Sequence, residues 1–231
     1  MTDRIQAGKV NTGGWAPPGG VALVPLFAWP PKPLAALKWF FGLPGYLFPW
    51  NVFYVGTALI AWLFLMPDLV AMKTFELGWI AQLLAVNAGL VFVFTEAWHW
   101  RLYARRAQAF SFKYDESWPK PGATFLFGDQ HIDNRIWTML SAVPVMTGFM
   151  ALVLWAMASG AVPTVSWAEH PIYLALVMLS VQWFRDVHFY CIHRLIHWPP
   201  LYRRIHFLHH KNANPGPWSG LAMHPAEHVL Y

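Results

Sequence analysis

Four apolar stretches of about twenty residues run through this chain, each long enough to cross a hydrocarbon core about 30 Å thick. The first covers 46–66 and stops at Pro67-Asp68, the second covers 77–98, and the third covers 137–159. The fourth opens near Pro171, a residue that suits a first helical turn. Its purely apolar part ends at Phe184, before Arg185 and Asp186, yet Phe189 and Tyr190 follow. A helix that turns charged while keeping aromatic residues is leaving the lipid. Ahead of the first span, residues 1–45 are rich in Pro and Gly and lack the apolar run of a signal peptide. The connection 99–135 is long for a structureless loop and is expected to pack beneath the His-rich region. The pattern predicts an all-α membrane protein of about four transmembrane helices with a cytosolic His-rich helical segment. Its parts are an irregular lead-in (1–45), a transmembrane region (46–192) and a His-box region (171–231).

Composition agrees with a bilayer as solvent. The chain is 57% hydrophobic and only 12% charged, about half the charge of an ordinary soluble domain. Its fifteen Trp fit the membrane–water boundary, where this residue concentrates. Fourteen of the sixteen Lys and Arg lie before the first span, between the second and third, or after the fourth. That bias predicts a multi-pass protein with both ends and the His-rich tail on the cytosolic face. The membrane is a bacterial inner membrane or the endoplasmic reticulum. The net charge of +5 follows from this topology and implies no nucleic-acid partner. A single Cys, Cys191, excludes a disulfide framework and thiolate-rich metal sites.

Eight of the eleven His fall in the last 44 residues. His193 and His197 form HxxxH, His206, His209 and His210 form HxxHH, and His224 and His228 bracket HPxEH. On a helix, residues three and four apart share a face, so each pair is placed to grip one ion or two adjacent ions. Trp198-Pro199-Pro200 separates the first two boxes by a short corner, which predicts two neighbouring helices with converging imidazoles. Imidazole donors suit iron, zinc and copper. If the fourth helix continues to Trp198, Asp186 and Gln182 lie on the His193 stripe. Asp186 is then the expected outer partner, accepting the free N–H of a ligand His, whereas His188 projects away. Glu227 is a further acid able to balance the charge of a metal pair. Glu96 and His99 form a polar pair at the end of the second span.

At these boxes, together with the Gly216–Pro225 stretch, the sequence resembles the fatty acid hydroxylase superfamily, most of all sterol desaturase-type proteins. The motifs occupy about 182–231; the preceding spans agree in topology only. The resemblance implies a membrane-embedded non-haem diiron oxygenase, in which zinc can substitute for iron. It implies His193, His197, His206, His209 and His210 as catalytic ligands, with His224 and His228 matching the HPxE-type segment. It further implies a lipid substrate (a sterol or fatty acyl chain), O2, and electrons from a separate carrier such as a cytochrome b5-like protein, a ferredoxin or a reductase. The family's further His cluster is expected downstream of Tyr231, so this chain alone is expected to bind metal poorly and not to turn over. Alcohol and alkene products are equally compatible with such a ligand set.

Two other readings compete. His224-Pro225-Ala226-Glu227-His228 also satisfies HxxEH, the pattern of a zinc metallopeptidase, but that leaves the other boxes without a role. A His-rich metal transporter would place ligands near the bilayer midplane, whereas the first and third spans contain no His.

Overall fold

The computed structural model describes residues 24–110 and 117–231, apart from the side chains of Leu179 and Gln182. The first 23 residues of the expected lead-in, and Gln182 as an expected outer-sphere group, therefore lie outside the described residues. The described chain is helical, with no strand among its described residues. It divides into two compact units, one ending at Leu65 and one covering Met66–Tyr231.

The first unit holds α1 (Pro33–Phe41) and α2 (Leu47–Leu65). Between them Tyr46 donates its backbone N–H to Trp39 at 2.8 Å and stacks against Phe40.

The second unit begins with α3 (Leu77–Ala104) and α4 (Gln130–Ala158). These and α2 are three helices long and apolar enough to cross a membrane. The core of the unit lies between α3 and α4, where Trp79 and Leu83 meet Ala151, Leu154 and Met72. A buried polar link crosses this apolar seam: Asn87 donates to Thr147 Oγ1 at 3.0 Å. Around it, large apolar side chains such as Phe92, Val93, Phe149 and Val153 stand exposed. Exposed apolar surface on this scale suits lipid contact rather than water.

Both helices exceed the apolar stretches that announce them. α4 starts seven residues before Trp137, because Asp129 caps it: one carboxylate oxygen accepts the backbone N–H groups of His131 and Ile132 at 2.7 and 2.9 Å. Apolar pattern alone hides this start, since Gln130, Asp133 and Asn134 are polar yet buried.

Next comes α5 (Pro171–Ile196), 26 unbroken residues beginning at Pro171. It is long enough to span, but the length-and-apolarity criterion met by α2, α3 and α4 does not add it among the described residues. Most of its large apolar side chains are exposed, Trp183 and Phe184 among them, and its last turns carry it into the rest of the unit. Three successive helical segments (Pro199–Leu201, Tyr202–His206 and Phe207–His210), together α6, follow, and α7 (Pro225–Leu230) closes the described chain.

The polar start of α4 is the platform that holds the segment between α6 and α7. Lys211 Nζ lies 2.6 Å from Asp133, and Gln130 donates to the Asn214 carbonyl at 2.8 Å. Asn134 donates to Ser219 Oγ at 2.9 Å, and Ser141 donates to the Met223 carbonyl at 2.9 Å. From the 99–135 connection, Tyr103 donates to the Pro215 carbonyl at 2.6 Å and Asn214 donates to the Ser117 carbonyl at 2.9 Å. Glu96 accepts from both Arg135 (2.7 and 3.0 Å) and the buried Trp218 indole (3.1 Å). The chain between α6 and α7 is thus pinned by side chains on two long helices.

Candidate metal centre

α5 continues without a break to Ile196, so His193 and His197 stand one turn apart on one face. Trp198 then leaves helical backbone (φ −59°, ψ 129°), and Pro199 restarts the helix where its missing N–H costs nothing. That corner sets α6 beside the end of α5. His206 and His210, again four apart, face the first pair.

All four present Nε2 to one point. His193 and His197 Nε2 are 3.1 Å apart, His197 and His206 Nε2 3.3 Å, and His206 and His210 Nε2 2.9 Å. The four donor atoms lie within 4.8 Å of one another. Tetrahedral imidazole ligation at about 2.0–2.1 Å from a metal sets nitrogens about 3.3 Å apart; the three successive Nε2 separations are near that value, and the donor type suits a single ion.

Two of the four rings are held from behind, by Glu227 in α7 and by Tyr231 directly after it. His206 Nδ1 is 2.8 Å from Glu227 Oε1, a pair with side chains 0% and 1% exposed. An ionised Glu227 only accepts, and in that state Nδ1 carries the proton and Nε2 turns its lone pair to the cluster. His193 Nδ1 is 3.0 Å from the Tyr231 hydroxyl, with Phe189 stacked against both rings. Glu227 and Tyr231 are themselves four apart and joined by a backbone hydrogen bond of 3.2 Å. One helical turn therefore braces one His from each box.

Burial first, and then the neighbouring imidazoles, pushes His206 down to about 3. The same two causes hold His209 and His210 below the ordinary histidine range. Neutral imidazole is the form that ligates. Burial pushes the Glu227 carboxyl up to about 7. It also raises the Tyr231 hydroxyl to about 12, with the Glu227 charge adding to the effect.

The remaining candidates fall elsewhere. His209 stands outside the group of four, its ring 5.8 Å from that of His206, and its buried Nδ1 has no hydrogen-bond partner. His224 Nδ1 accepts the Ala226 N–H and so caps α7, while His228 Nε2 is 3.2 Å from the Leu221 carbonyl. With Glu227 committed to His206, HxxEH is not assembled as two ligands and a free base. Asp186 is exposed and pairs with Arg185 at 3.1 Å. His188 stacks on Phe184, away from the group of four.

Residues 177–231 match the family model described as fatty acid hydroxylase. That segment, about a quarter of the chain, is therefore similar to the fatty acid hydroxylase superfamily. The matched segment contains all four converging His, the other three box His, and Asp186, Gln182 and Glu227. The chain is also similar to a Delta(7)-sterol 5(6)-desaturase of Aspergillus fumigatus, 46% identical over 54 residues, or 22% of this chain. It is also similar to a Delta(7)-sterol 5(6)-desaturase of Gibberella zeae, 40% identical over 55 residues, or 24% of this chain. Each match spans 17% of the relative's length. No solved structure matches the chain significantly.

Sequence reasoning missed two parts of the family-matched segment's surroundings. Tyr231 carries no motif, and only its spacing of four from Glu227 on a helix could have singled it out. The buried polar face of α4 was readable as Gln130-His131-Ile132-Asp133-Asn134-Arg135, a polar run abutting an apolar one. Hydropathy treats such a run as loop.

Proposed function

We propose that this chain contributes the first His boxes of a membrane-bound non-haem diiron oxidoreductase. It would hydroxylate or desaturate a lipid, either a sterol or a fatty acyl chain, using O2 and an external electron carrier. The single observation that carries the reading is the convergence of four Nε2 atoms from HxxxH and HxxHH within the family-matched segment. His193, His197, His206 and His210 would hold one iron. His209 and His228 are the donors left for a second. His224 would have to give up its capping bond to join them.

Bound iron supplies the oxidising power to break an unactivated C–H bond, which amino-acid side chains lack. The protein's own part is to hold, orient and exclude. Glu227 and Tyr231 fix which nitrogen of His206 and His193 is free to bind, as outer partners of ligand histidines do. Asp186 stays in the proposal as nearby balancing charge at the end of α5. The substrate is dissolved in lipid, which explains a site at the foot of apolar helices. In this reading α5 is the fourth span and the boxes lie on the cytosolic face.

The test is anaerobic reconstitution of the full-length protein with iron, followed by lipid profiling of cells with and without it. Two irons per chain and a lipid product that disappears in His197→Ala and His209→Ala support the proposal. One tightly bound zinc with peptide cleavage, or metal flux across liposomes, overturns it.

A further inference from the structure

A second group of polar side chains gathers away from the metal centre, where α3 ends and α4 begins. α3 has 28 residues and is about 42 Å long at 1.5 Å per residue, which exceeds a hydrocarbon core of about 30 Å. Its last turns, with Arg101, and the Arg105-Arg106 pair that follows it therefore belong at headgroup depth, as does the polar start of α4. Between them lies a cavity of about 310 Å³ whose walls include His99, Tyr103, Arg106, Trp118 and His131.

Three features give this cavity a chemistry. The His99 and His131 rings meet edge to face with centroids 4.4 Å apart, offering two imidazole N–H donors close together. His99 is 8% exposed, and its buried Nδ1 has no hydrogen-bond partner. The Arg106 guanidinium lies over the Trp118 ring at 4.4 Å, which leaves the edge of its fork available.

No carboxylate is among the described lining residues, and two nearby described ones, Glu96 and Asp129, are occupied. Glu96 is held by Arg135 and Trp218, and Asp129 accepts two backbone N–H groups of α4. Tyr103 commits its hydroxyl to the Pro215 carbonyl, so it anchors the wall. Gly216 packs against two of the lining residues, where an added Cβ would come within 3.3 Å of Tyr103 and 3.6 Å of His131.

We propose that this cavity is a binding site for an anionic phosphate group, either on a lipid headgroup or free. Arg106 supplies the charge, His99 and His131 supply directed donors, and the aromatic wall flanks the apolar side of a headgroup. The site requires no metal and does not depend on the oxidoreductase reading.

The experiment uses the full chain purified in a maltoside detergent, with its melting temperature followed as each probe is titrated. The probes are inorganic phosphate, dihexanoyl-phosphatidylglycerol and, as the zwitterionic comparison, dihexanoyl-phosphatidylcholine. Saturable stabilisation by phosphatidylglycerol above that by phosphatidylcholine is expected, with a loss of apparent affinity of about tenfold or more in Arg106→Gln and His131→Gln. An equal response to inorganic phosphate identifies free phosphate as the ligand and also supports the site. Arg106 is exposed, so Arg106→Gln keeps the test valid if the His131 variant fails to fold. No saturable response in the parent chain, or unchanged affinity in Arg106→Gln, overturns the proposal.

Discussion

A histidine offers a metal only one of its two nitrogens, and the choice belongs to whatever touches the other. His206 faces the cluster through Nε2 because Glu227 occupies Nδ1 at 2.8 Å, and His193 does so against Tyr231 at 3.0 Å. Replacing such outer partners typically costs 10–100-fold in metal affinity. In the full-length protein Glu227→Gln should therefore lower iron affinity by about that factor, as measured by chelator competition. Tyr231→Phe should lower it less, because a neutral hydrogen bond is weaker than a charged one. Wild-type affinity in both would remove the brace from the argument. Asp129 acts at the same scale on the backbone. Its two N–H bonds, the Ile132 bond first, hold its carboxyl below the usual range. A carboxylate lowered by folding contributes fully above its ordinary pKa of 3.8 and loses that contribution as acid passes below it. Asp129→Ala should cost about 1 kcal/mol at neutral pH, with the gap to wild type closing in acid melts. A constant gap across pH would show that the cap is not electrostatic.

Among the elements, α4 does two jobs along one axis. Its apolar part packs on α3, and its first two turns present buried Gln130, Asp133 and Asn134 to the segment that carries Lys211 to Ser219. The Lys211–Asp133 pair is 9% and 0% exposed at its side chains, well out of water. Removing one partner of a buried pair leaves an uncompensated charge and costs about 3–5 kcal/mol, whereas replacing both by apolar residues is often neutral. Lys211→Ala should therefore lower the melting temperature sharply, and Lys211→Met with Asp133→Leu should restore most of it. A double variant no better than the single one would mean that the pair does more than neutralise itself. The corner at Trp198-Pro199 is the other decisive element. It turns a sequence separation of nine, from His197 to His206, into an Nε2 contact of 3.3 Å.

For the molecule as a whole, the open questions are topology and substrate entry, and the chain carries its own reporter. Cys191 is the lone cysteine, and it is exposed. With the His-rich end cytosolic, a membrane-impermeant maleimide should label it in inside-out vesicles and not in right-side-out ones; the reverse pattern would invert the topology. If lipid enters between helices, Gly89→Trp on α3 and Ala175→Trp on α5 should alter chain-length preference. An added Cβ at Gly89 meets no atom within 4 Å, so the larger side chain would project into open space and not into the core. The sequence by itself determined a helical chain rich in lipid-facing surface, because hydropathy and helical period are local properties. It also determined the ligand types, because HxxxH and HxxHH put imidazoles on shared faces whatever the surroundings. Which four of the seven box histidines meet, that Glu227 serves His206 rather than its HxxEH neighbours, and that Tyr231 matters at all were decided only by the tertiary structure. So was the early start of α4, whose buried polar residues are satisfied by partners about eighty residues away. Those outcomes depend on how the Trp198 corner and α7 bring distant residues within hydrogen-bond reach, and no local pattern of residues encodes a distance of that kind.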